Sequence, residues 1–177
     1  ETVDVAALTT SQAVALTSDQ MAALTTAQVV ALTTGQFVTL GSDQLNALNS
    51  RQVAAMESAD LVALTTYQVS SLGSRQVSAL GTAQVSALKT SQLVVLTTDQ
   101  IGAITTGQIV ALTTAQVSAL TTDQLVAMNS RQVSALETVD VAALTTSQAV
   151  ALTSDQMAAL TTAQVVALTT GQFVTLG

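Results

Sequence analysis

The chain has 177 residues, enough for one domain with a sizeable core, yet only 8% of them are charged, against roughly 25% in an average soluble protein. The formal net charge is −7 with four cations and no His, so electrostatics disfavour a phosphate-gripping surface of the nucleic-acid type. Cysteine is absent, which removes disulfides and thiolate metal sites without assigning a compartment. No apolar run approaches the roughly 18 residues that a membrane-spanning helix needs, and no basic segment followed by an apolar one has signal-peptide character.

From Glu1 onward the sequence falls into 22 octads, 1–8 through 169–176, with Gly177 opening a twenty-third and no insertion or deletion anywhere. Thr25–Leu32, TTAQVVAL, is the type octad, and its residues define positions one to eight. Position two is Ser or Thr in all 22 copies, and position four is Gln in 19 and Asp in three. Position five is always apolar, position seven nearly always Ala, and position eight Leu except at Met56, Ile104 and Met128. Position three varies freely and holds all three Arg residues, which marks it as solvent-facing.

Residues 1–41 carry five octads and the start of a sixth. Octads six to eight, 41–64, hold Gly41, Asn49 and Glu57 at position one, and octads nine to seventeen return to the plain form apart from Gly73, Gly81, Lys89 and Asn129. Residues 137–177 repeat 1–41 without a change, which sets a 136-residue super-repeat over the octad. The expectation is a single repeat solenoid over 1–177, a fragment of a longer tandem array.

A period of eight excludes one continuous helix. Eight residues at about 100° each overshoot two turns by about 80°, so positions five and eight would wind around the cylinder and form no lasting seam. The chain must change direction once per octad. Ser or Thr at position two is the expected N-cap, at Thr10, Ser18, Thr26, Thr34, Ser42, Ser50 and their equivalents. A helix over positions three to eight then places five and eight on one face. Such a helix is too short to survive alone, so stacking is obligatory. The expected fold is all-α, a solenoid of short capped helices and corners. A β-solenoid is the alternative favoured by Thr and Val, but positions five and eight would fall on opposite strand faces.

The rare charges suggest the number of octads per turn. Asp19 precedes Arg51, Asp43 precedes Arg75, Glu57 precedes Lys89 and Asp99 precedes Arg131, each by 32 residues at one octad position. If these stack between turns, a turn takes about four octads, giving a rod on the order of 50 Å long.

Reactive chemistry is scarce. Without His or Cys there is no Ser-His-Asp triad, thiol nucleophile or zinc set, and the glycines form no phosphate-binding motif, so no enzyme, catalytic residue or cofactor is expected. Glu1 with Asp4, Glu57 with Asp60 and Glu137 with Asp140 are candidates for weak Ca²⁺ sites. The alternative is that they simply favour a helix N-terminus. The Thr-Thr steps, such as Thr33-Thr34, form a hydroxyl ladder of the kind that could meet ice or glycan, or else act only as caps and corners.

Leu24–Leu32, LTTAQVVAL, resembles the opening helix of the TAL effector repeat, LTPEQVVAIA, but the base-reading dipeptide and Gly-Gly of that repeat are missing. DNA reading is therefore not implied. The whole chain is similar to the LTTAQVxA tracts of very large bacterial secreted or surface proteins of the adhesin type. That resemblance implies an extracellular or cell-surface setting in a bacterium. The expected function is structural, a stalk or self-associating fibre. Its expected partners are further copies or a continuation of the same chain, with neither nucleic acid nor a membrane span. The rival is a binding module that presents the solenoid surface to a protein, a glycan or ice.

Overall fold

The structure, a computed structural model, describes residues 1–174; Thr175, Leu176 and Gly177, which opens the twenty-third octad, lie outside the described residues. Among the described residues there are 22 helices and no strand, one helix per octad, from α1 (Thr2–Ala6) to α22 (Thr170–Val174). The all-α solenoid is therefore the fold, and the β-solenoid is not.

Each helix is set by its own octad. In α4 (Thr26–Ala31) the N-cap is Thr25, with φ −73° and ψ 159°. The Thr25 hydroxyl accepts from the Gln28 amide at 3.2 Å, and Gln28 Oε1 accepts from the Thr25 amide at 2.9 Å. This reciprocal pair is a capping box, which satisfies two of the donors that a helix start leaves open. The cap is thus position one rather than position two. Thr10, Ser18, Thr26, Thr34, Ser42 and Ser50 are the first helical residues, and the caps before them are Thr9, Thr17, Thr25, Thr33, Gly41 and Asn49. The physical reason is spacing. A box needs a Gln or an acid three residues after the cap, which position four supplies to position one, whereas position five would offer position two only an apolar side chain.

Position eight has already left the helix. Leu32 has φ −64° and ψ 135°, and its amide donates to the Val29 carbonyl at 3.2 Å. Two consecutive extended residues, such as Leu32 and Thr33, make the corner. No described residue has positive φ, so the corner requires no glycine.

The layers stack three octads apart. α1 packs on α4, α4 on α7 (Ser50–Ala55), and α7 on α10 (Ser74–Ala79), and this order continues along the chain. A turn therefore takes about three octads rather than four, and the coil is triangular. Its 22 helices make about seven turns and a rod of roughly 60 Å, at 8–10 Å per layer.

Positions five and eight fill one continuous core from Val5 to Leu168. Layer volumes compensate locally. Phe37 and Ala13 are both fully buried, and α5 (Thr34–Phe37), which carries the ring, packs on α2 (Thr10–Val14), which carries the small residue. Close packing requires that exchange. Position three is exposed in every octad, as its variability predicts.

Candidate functional site

The most organised chemistry in the rod is a seam of buried glutamines at position four. Gln100 is 2% exposed. Its Oε1 accepts from the Thr97 amide at 2.7 Å and so starts its own helix, α13 (Thr98–Ala103). Its Nε2 donates to the carbonyls of Val69, Ser70 and Leu72 at 3.2, 3.2 and 2.6 Å. Those carbonyls belong to the end of a helix and its corner one turn earlier, where helix ends leave acceptors unpaired.

The same tie recurs along the rod. Gln36 reaches Val5 and Leu8, Gln68 reaches Phe37 and Leu40, and Gln172 reaches Val141 and Leu144, always 31 and 28 residues back. Gln12 and Gln20 in the first turn and Gln28 at the start of the second have no carbonyl 28 to 31 residues back to reach, and they keep the box alone. At Gly41, Gly73, Gly81 and Lys89 the cap offers no side-chain acceptor, yet the glutamine still takes the cap amide at 2.7–3.0 Å. Among the described residues no buried side-chain nitrogen or oxygen lacks a partner.

The signal that would have found the seam was present as Thr-x-x-Gln, read from position one. The cross-layer reach of 28 to 31 residues had no local signature.

Asp60 and Asp140 interrupt the seam. They are 3% and 1% exposed. Asp60 Oδ1 accepts from the Thr34 hydroxyl at 2.6 Å, and Asp140 Oδ1 from the Thr114 hydroxyl at 2.8 Å. A carboxylate has no N–H to give, so Val29 and Leu32, and Ile109 and Leu112, are the interior carbonyl sets that receive no glutamine amide. Of the other candidate cation ligands, Glu57 and Glu137 are exposed corner residues, and Asp4 holds the Glu1 ammonium at 2.8 Å. No described group of three or more acidic, His or Cys side chains comes together.

Position-two hydroxyls lie along the same seam between layers. Ser18 and Ser130 donate to the carbonyls of Asp43 and Asp155, each at 3.4 Å, as Thr34 and Thr114 donate to the aspartates.

The four charge pairs spaced by 32 residues are not brought together. Each pair lies on two different helix stacks, and the ion pair found among the described residues is that of the Glu1 ammonium with Asp4. Exposed charges contribute too little to set a register that buried amides and core side chains impose.

Two shallow grooves lie between stacked corners where glycine replaces the position-one Thr. One, of about 520 Å³, is lined by Asn46, Asn49, Ser50, Ser71, Gly73 and Arg75. The other, of about 550 Å³, includes Thr17, Ser18, Gly41, Asp43 and the exposed Tyr67.

No curated protein matches the chain. The family model of the ALTTAQ repeat matches residues 1–34, 30–57, 53–90, 86–114, 103–138 and 133–170. Those six overlapping stretches run almost end to end, and the chain belongs to the ALTTAQ repeat family.

Proposed function

We propose that the chain is a structural protein, a stretch of stalk or fibre that lies outside a bacterial cell and gains length by adding octads. The observation that carries this reading is the recurring glutamine seam, broken at Asp60 and Asp140. Each new turn meets the previous one through the same amide ties and the same core positions, so length changes while the local contacts do not. A surface of threonine and serine hydroxyls with 8% charged residues suits changing salt and pH. The extracellular setting rests on the resemblance to LTTAQVxA tracts of bacterial surface proteins.

The test is a length series. Arrays carrying one, two and three 136-residue units should gain a constant roughly 50 Å of maximum dimension per unit in small-angle scattering. Antibodies raised to the chain should label intact producer cells. Arrays that coil back without lengthening, or label confined to broken cells, would overturn the reading.

A second reading, binding of a polar ligand such as a glycan, is favoured by the two glycine-floored corner grooves with their hydroxyl and amide walls. A glycan array probed with the chain and with Gly73→Thr tests it: binding lost in the variant supports the groove.

A further inference from the structure

The charges along one face of the rod have an order that no ion pair among the described residues uses. Helices α7, α10, α13 and α16 (Thr122–Ala127) stack directly on one another. Their position-three residues are Arg51, Arg75, Asp99 and Asp123, all exposed. Read along the rod, the column runs plus, plus, minus, minus, one charge per layer. Among the described residues none of the four takes part in an ion pair. At the middle of the stack, position six is occupied by Ser78 and Gly102, which leave the surface low between the charges.

This order is self-complementary under a two-fold rotation. An axis perpendicular to the rod, passing between α10 and α13, exchanges Arg51 with Asp123 and Arg75 with Asp99. A second copy laid antiparallel on this face therefore meets every cation with a carboxylate, four pairs in all. A parallel copy in register sets Arg against Arg and Asp against Asp. A two-fold interface uses one patch on both partners, so the arrangement closes on itself.

We propose that this face is an antiparallel docking surface for a second copy of the same chain. It gives the self-association of the proposed fibre a face and a direction, and it stands or falls independently of where the protein resides or whether it acts as a stalk. Exposed pairs are individually weak and are screened by salt, so the association is reversible and belongs to low ionic strength. Like-charge juxtaposition disfavours the parallel alternative.

The experiment is sedimentation equilibrium of the full 177-residue chain with charge-swapped variants. The wild type should dimerise at low salt, and the dimer should weaken at least tenfold toward about 0.5 M NaCl. Arg51→Glu with Arg75→Glu should be monomeric, as should Asp99→Arg with Asp123→Arg. An equimolar mixture of those two variants should form a heterodimer, and combining all four substitutions in one chain should restore the homodimer.

All four sites are exposed, so circular dichroism should stay unchanged. Direction is read by cross-linking. Ser78→Cys chains mixed with Gly102→Cys chains should join 78 to 102 in preference to 78 to 78. A wild type that stays monomeric, association indifferent to the charge swaps, or dominant 78-to-78 linkage would overturn the proposal.

Discussion

Gln36 donates from Nε2 to the carbonyl of Leu8 at 2.7 Å, across 28 residues of chain, while its Oε1 holds the amide of Thr33 at 2.6 Å. One neutral side chain thus begins its own helix and closes the end of a helix one turn away. Because both halves of the amide are used and buried, removing it exposes the cost on both sides. Replacing a buried seam glutamine, Gln100→Leu, should destabilise the rod by about 2–4 kcal/mol, since it orphans the Leu72 carbonyl, leaves the Val69 carbonyl with the Leu72 amide alone, and loses the box at Thr97. Gln20→Leu, in the first turn, loses only the box and should cost about 1 kcal/mol. Urea melts of the two variants side by side check the contrast.

The aspartates that break the seam predict the opposite sign. Asp60→Gln should let an amide reach Leu32 and Val29 as Gln68 reaches Leu40 and Phe37. The gain expected is about 1 kcal/mol, the net worth of the added hydrogen bonds less the lost Thr34 contact. Asp140→Gln should behave alike, and the double variant should be additive because the sites are far apart. Thermal melts followed at 222 nm measure it; a fall in the midpoint would show that the carboxylates support their layers in a way the glutamines do not.

Adjacent threonines separate the two cap assignments. Thr97 accepts from the Gln100 amide at 3.2 Å, whereas Thr98 is the first helical residue. Thr97→Ala should therefore cost about 1 kcal/mol and Thr97→Gly only a few tenths, as the natural Gly41, Gly73 and Gly81 caps suggest. Thr98→Ala should fall within about 0.5 kcal/mol of wild type. Equal losses at the two positions would return the cap to position two.

Charges spaced by four octads should prove independent. Asp19→Ala, Arg51→Ala and the double variant should each stay within about 0.5 kcal/mol of wild type at low concentration, where only the monomer is present. A double-mutant cycle showing coupling beyond that would restore the four-octad turn.

The helical octad, its apolar positions five and eight and the exposed position three were legible because each follows from local periodicity. The cap was misplaced by one residue because position two is the invariant Ser or Thr. Its hydroxyl, in Ser18, Thr34, Thr114 and Ser130, works across the layer seam rather than at the helix start. The number of octads per turn was missed because Asp19, Arg51 and their kin are conspicuous but exposed. The residue that carries the register, glutamine, looks like ordinary surface polarity until the layer beneath it is in view. Nothing in a single octad tells an amide which earlier carbonyl it will meet.

Under load the seam has a mechanical meaning. Each turn is clipped to the one before by its own short set of bonds, so tension applied along the axis meets a row of equivalent latches in series rather than one barrier shared by the whole rod. The chain should pay out turn by turn, each release freeing about 24 residues and adding roughly 70 Å of slack. Layers held by Asp60 and Asp140 in place of an amide latch are where yielding should begin. A rod of this kind should lengthen under strain and re-form when the strain passes.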